Sequence, residues 1–208
     1  SNTNTTFGIG AGNYHTAIGL NGLTAFGHSA AFSITPKYTI DADGNATENF
    51  GNANTAIGIQ SLKSATTANG NTAVGNNALV YTNTDYNTAI EYIAGQYLNS
   101  GGKNVFVGSS SGADVTNAQY CTFVGVNTTV EDNNVNSFNS STAIGYGATI
   151  NASNQIVLGT STETVNIPGD LTIADAVSAS SFNATSDYRI KKNVQTISGD
   201  IYTVDNLR

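Results

Sequence analysis

A four-residue pattern, Thr-Ala-apolar-Gly, returns along this chain at nearly constant intervals, and it constrains the fold more than any other feature. It closes at Gly19, Gly27, Gly58, Gly75 and Gly145, with looser copies closing at Gly10, Gly108, Gly125 and Gly159. In "TAIE" Glu91 stands in the glycine slot. From Gly58 onward the slots lie 17, 16, 17, 17, 20 and 14 residues apart. A disordered chain keeps no such period, whereas a stacked repeat must. The composition then reads differently. Low charge (10%) with 22 Gly and abundant Asn, Ser and Thr would fit disorder on its own. With a period present, those residues are the turns.

Each copy is one coil. Asn54, Asn71, Asn87 and Asn104 sit shortly before their tetrads, and a second apolar element follows the glycine at Ser61-Leu62, Ala78-Leu79 and Ala148-Ile150. The expected coil is turn, short strand, Gly corner, short strand, turn, stacked as a parallel β-solenoid. Gly suits the corner because it reaches positive φ without penalty. Asn suits the turn because it tolerates the left-handed region and bonds its own backbone.

The tetrad also speaks to assembly. Neighbouring strand residues point to opposite faces, and in "TAIG" both the Ala and the Ile are apolar. A thin coil has one interior, so the second face calls for another chain, most simply in a symmetric oligomer. Which face is which stays open. In the assembly Ala17, Ile18, Ala56, Ile57, Ala73, Val74, Ala143 and Ile144 are expected to be buried.

The repeat resembles the head of the trimeric autotransporter adhesins, whose "NxxAIGxxA"-like coils form a left-handed parallel β-roll of three chains. Similar repeats occur in viral tail fibres. The resemblance covers residues 1–160 and implies an all-β parallel roll of ~17-residue repeats, assembled as a parallel homotrimer. Between Gly27 and Gly58 the spacing of 31 is about two coils. It contains "DADGN", a hairpin turn between β-prone runs, so residues 38–50 are expected to project as a hairpin or loop. As a calcium loop the segment is out of register, with Gly44 fourth and Glu48 eighth.

After residue 160 the tetrads stop, and residues 161–185 read as a neck of short strands. There follows Ser186, Asp187, Tyr188, Arg189, Ile190, Lys191, Lys192, Asn193. This is similar to the signature that opens the endosialidase-type intramolecular chaperone of viral tail spikes and fibres. The resemblance implies a module that trimerises the fibre and then severs itself, with Ser186 as nucleophile, Lys191 as base and Thr185-Ser186 as the scissile bond. A hydroxyl needs a neighbouring base to become a nucleophile, and Lys serves when burial lowers its pKa. Residues 186–208 are the start of such a module and too short to be all of it. The chain also begins mid-pattern, so it reads as part of a longer polypeptide.

The function expected is a structural and host-recognition part of a virion fibre, extracellular, meeting a host glycan or protein and other virion proteins. A cell-surface adhesin is the second reading and a polysaccharide-degrading spike the third, since no facing carboxylate pair stands out. A net charge of −7 argues against nucleic acid. No apolar run is long enough to span a membrane as a helix. No cofactor or metal is expected. His15 and His28 have no second ligand at metal spacing, and Cys121 is alone. Tyr81, Tyr86, Tyr92 and Tyr97 cluster around Glu91, and packing between coils or chains is favoured over a saccharide platform.

Overall fold

The computed structural model describes residues 4–12, 22–34, 37–40, 46–49, 53–131 and 138–174. All regular structure among them is β. In chain order the strands are β1 Thr5–Phe7, β2 Thr24–Phe26, β3 Lys37–Ile40, β4 Ala46–Asn49, β5 Thr55–Ile57, β6 Thr72–Val74, β7 Thr88–Ile90, β8 Ser100–Gly102, β9 Val105–Val107, β10 Asn117–Gln119, β11 Thr122–Val124, β12 Thr129–Val130, β13 Phe138–Asn139, β14 Thr142–Ile144, β15 Thr149–Ile150 and β16 Ile156–Leu158.

The tetrads build one parallel sheet in the order β1-β2-β5-β6-β7-β9-β11-β14-β16. Its register is strict: Thr55 pairs with Thr72, Ala56 with Ala73 and Ile57 with Val74, and the same match repeats along the sheet. Equivalent residues therefore form columns, one rung per coil, and the chain is a β-solenoid. Two smaller parallel sheets, β13-β10-β8 and β12-β15, line other sides of the coils.

Two expectations need correcting. β2 lies directly against β5, so residues 27–58 make one coil carrying an insertion rather than two coils. The insertion is the antiparallel hairpin β3-β4, with Tyr38 opposite Glu48; its turn, residues 41–45, lies outside the described residues. Among the described residues the element after the Gly corner is a strand only at β12 and β15. At Ser61-Leu62 and Ala78-Leu79 it is a turn, because Gln60, Leu62, Asn77 and Leu79 all take positive φ, which no extended ladder accommodates. β1 also lies directly against β2. The tetrad ending at Gly19, with Ala17, Ile18 and His15, lies outside the described residues.

The face question is answered by size. Ala25, Ala56, Ala73, Ala89 and Ala143 are fully buried, and Leu62, Leu79, Leu98, Val115 and Ile150 fill the rest of the coil interior. The interior is thin, so a small residue on the sheet faces a large one across it. Where the sheet residue grows to Phe106, the opposing column shrinks: Gly95 and Gly112 stand where earlier coils have Leu62 and Leu79. A Cβ on Gly95 would lie 2.9 Å from the Phe106 ring, and one on Gly112 would overlap it. Phe106 and Phe123 stack at 5.2 Å with a 7° tilt. The third residue of the tetrad points out of the coil: Ile57 is 40% exposed and Ile144 43%.

The Gly corner is a contact between coils. A Cβ on Gly58 would lie 2.5 Å from the Gly75 carbonyl oxygen, so the side chain and the next rung cannot share the space. Glu91 stands there nonetheless, at φ 98°.

Chain contacts divide the molecule into Ser1–Val165 and Asn166–Arg208. In the latter, residues 166–174 hold no strand. The rest of the expected neck, from residue 175 on, lies outside the described residues. No helix among the described residues is long and apolar enough to cross a membrane.

Candidate functional site: an aromatic column and groove

The site starts from the residue that precedes each tetrad. Asn54, Asn71, Asn87 and Asn104 are buried and form a ladder. Asn71 Oδ1 accepts from the backbone N–H of Asn87 at 2.8 Å and from its Nδ2 at 3.1 Å. Asn87 Oδ1 does the same for Asn104, at 3.0 and 3.1 Å. Asn104 Oδ1 then accepts from the Cys121 N–H at 2.9 Å, where the ladder ends. The Cys121 thiol donates weakly to the Gln119 and Phe138 carbonyls, and burial pushes its pKa up. It is a small buried residue, as its position before a core tetrad implies. The Asn side chains thus bond the neighbouring coil, and Asn87 also donates within its own turn, to Thr84 Oγ1 at 2.9 Å and to the Asp85 carbonyl at 3.2 Å.

The residue just before each ladder position takes positive φ and points its side chain away from the ladder. In three successive coils that residue is long: Tyr86 (φ 61°), Lys103 (φ 58°) and Tyr120 (φ 56°). Backbone bonds hold them, Lys103 N–H to the Asp85 carbonyl at 3.0 Å and Tyr120 N–H to the Gly102 carbonyl at 3.1 Å. The Lys103 ammonium lies 5.1 Å from the centre of the Tyr120 ring and 3.4 Å from its hydroxyl.

Beside this column runs an open groove of about 340 Å³. Asn83, Asp85 and Tyr86 line it from one coil, Lys103 and Gln119 from the next two, and Gly101-Gly102 of β8 lie between. Asp85 is held by its Oδ1, which accepts from the Asn69 backbone N–H at 2.7 Å. Asn83 Oδ1 accepts from Thr66 N–H and Oγ1 at 2.7 and 2.9 Å.

The four tyrosines that cluster in sequence separate in space. Tyr81 and Tyr97 stack on each other between coils at 5.4 Å, as packing requires. Tyr92 follows the Gly corner on the outer side of the large sheet, and only Tyr86 belongs to the groove. Sequence reasoning missed Lys103 and Tyr120. The signal was their common position before Asn104 and Cys121, visible once the coils are aligned on the tetrad.

Ser186, Lys191 and the Thr185-Ser186 bond lie outside the described residues. Among the described residues no group of three or more His, Cys, Asp or Glu is placed to hold a metal ion. His28 is exposed and its Nδ1 lies 3.2 Å from the Ser29 hydroxyl. No family model matches the chain, and no curated protein is significantly similar to it.

Proposed function

We propose that this chain is a segment of a viral fibre: a left-handed roll, three chains side by side, whose irregular coils meet the host. One observation carries the reading. The outer side of the nine-stranded sheet bears an unbroken apolar column, Phe7, Phe26, Ile57, Val74, Ile90, Val107, Val124, Ile144 and Leu158, in register from rung to rung. Ile9, Ile59, Tyr92, Val126 and Tyr146 flank it, all exposed. A single chain in water seldom leaves so continuous an apolar face bare. A copy of the same face is the simplest cover, since one surface then solves the problem for every chain. The count of three and the hand of the coil come from the resemblance to adhesin heads. Val165, Ile167, Leu171 and Ile173, exposed in the single chain, suit a neck that is also shared between chains.

The C-terminal signature supplies the viral part of the reading. In a complete fibre Ser186 Oγ attacks the Thr185 carbonyl while Lys191 takes the hydroxyl proton. The Thr185-Ser186 C–N bond breaks as Lys191 returns that proton to the Ser186 amine, and water then hydrolyses the resulting ester to the Thr185 carboxylate and the free Ser186 hydroxyl. Ser186→Ala and Lys191→Ala should each leave an uncut chain that still assembles, by mass and N-terminal sequencing. A Lys191→Ala chain that cuts normally removes the dyad. For recognition the test is host adsorption. Deleting the β3-β4 hairpin should keep the trimer and change adsorption; unaltered adsorption moves the contact to other loops.

A further inference from the structure

We propose that the groove beside Tyr86, Lys103 and Tyr120 binds a neutral saccharide of one or two rings. The proposal rests on reading the chain as a recognition fibre and adds the class of ligand.

The column is the first argument. In other coils its slot holds Gly22, Ala53, Gly70, Ser140 and Asn154, all with positive φ, which small residues and Asn accept most readily. Tyrosine does not, yet two of the three long side chains here are Tyr. Packing within the chain uses only part of each ring: Tyr86 lies over Gly70 and Tyr120 against Lys103, yet Tyr86 stays 60% and Tyr120 51% exposed. Two amphipathic rings are thus displayed on adjacent coils at a backbone cost of about 1–3 kcal/mol each.

The groove is the second. A sugar ring has an apolar C–H face and a rim of hydroxyls that donate and accept. Tyr86 offers the ring for the C–H face. The Asn83 amide donates, its oxygen being taken by Thr66; the Gln119 amide donates and accepts, the Asp85 carboxylate accepts, and the Lys103 ammonium donates. Hydrogen bonds to the neighbouring turn fix Asn83 and Asp85, so little side-chain freedom is lost on binding. Gly101-Gly102 leave the wall open, and a Cβ on Gly102 would already lie 2.7 Å from the Asp85 carbonyl oxygen. A groove of about 340 Å³ sits at the small end of ligand sites, which run from about 300 to 1,000 Å³.

Charge sets the class. Lys103 is offset by Asp85 in the same groove, and the chain carries −7 overall. A sulfated or sialylated polymer would meet a repelling field. A neutral sugar meets none.

The test applies the purified, assembled chain to an array of neutral and acidic oligosaccharides, then titrates the best neutral one by calorimetry. Tyr86→Ala, Lys103→Ala and Gln119→Ala should each weaken binding by about tenfold or more, while Tyr97→Ala should not change it. Ala53 already occupies the Tyr86 slot at φ 55°, so Tyr86→Ala should fold, and an unchanged melting curve checks this. No neutral glycan bound, acidic glycans alone bound, or full affinity in Tyr86→Ala would each overturn the proposal. So would a peptide ligand displaced by Tyr86→Ala with no glycan bound. A trimer that adsorbs to host cells yet binds no neutral glycan sinks the groove alone. A monomer that binds glycan through Tyr86 sinks the fibre reading and leaves the groove.

Discussion

Asn87 receives Asn71 Oδ1 twice, on its backbone N–H and on its side-chain amide, and passes the same double contact to Asn104. Each buried Asn therefore satisfies polar groups of the next rung as well as its own. Asn87→Ala strands the Asn104 backbone N–H, while Asn71 Oδ1 keeps the residue-87 backbone N–H and the Asn104 amide keeps the Ala118 carbonyl. Leaving a buried donor unpaired costs about 1–3 kcal/mol. Denaturant titration should show a loss in that range, concentrated in the middle coils by hydrogen exchange. A loss under about 0.5 kcal/mol would mean that water replaces the ladder.

Phe106 and Gly112 are a matched pair. Phe106→Ala should destabilise by about 3–5 kcal/mol through the cavity it leaves. Gly112→Leu alone should also destabilise, since its side chain would enter the Phe106 ring. Together they recreate the Ala73/Leu79 arrangement, with φ 56° at Gly112 close to the 49° that Leu79 adopts. The double variant should recover at least half of the loss, a coupling read from a double-mutant cycle. Additive losses would contradict the size exchange.

Glu91 holds φ 98°, well outside the narrow left-handed well near +60°. Strain of this kind costs about 1–3 kcal/mol, and glycine relieves it at some entropic cost in the unfolded chain. Glu91→Gly should raise stability by about 1 kcal/mol in thermal or chemical melts. A destabilised variant would show that the Glu91 side chain makes a contact that outweighs its backbone.

Glu163 closes the last coil. Its Oε2 accepts from the Thr160 N–H and from Thr160 Oγ1, both at 2.5 Å, and these bonds, the side-chain one first, lower its pKa from the ordinary 4.5. A depressed carboxylate pKa gives a contribution present above the unfolded value and lost as pH falls through the folded one. Protection of the Thr160 amide should therefore hold above about pH 4.5 and fade at lower pH. In Glu163→Gln that pH dependence should vanish. Identical profiles in both proteins would remove Glu163 as the cause.

Much of the fold was legible. The spacing of the Gly slots fixed the coil, and the neighbouring Ala and Ile announced two apolar faces. What the tetrad does not carry is which face is interior. That depends on Leu62, Leu79 and their equivalents across the coil, whose bulk leaves room only for Ala. The Asn residues were read as turn formers because their sequence neighbours are turn residues; Asn87 does bond its own turn, but the ladder runs between residues 16 or 17 positions apart. The groove was hidden for the same reason. Tyr86, Lys103 and Tyr120 are neighbours only across coils, and the run of tyrosines around Glu91 drew attention to residues that separate in space.

The central claim is that Ile57, Ile90 and Ile144 form a face between identical chains. The chain's mass in dilute buffer, by light scattering or sedimentation, tests it most directly. Three chains are expected, with Ile90→Asp reduced to monomers that aggregate or melt early, because an unpaired charge would be buried at the contact. A stable, monodisperse monomer of the unaltered chain, with Ile90→Asp indistinguishable from it, would contradict the account.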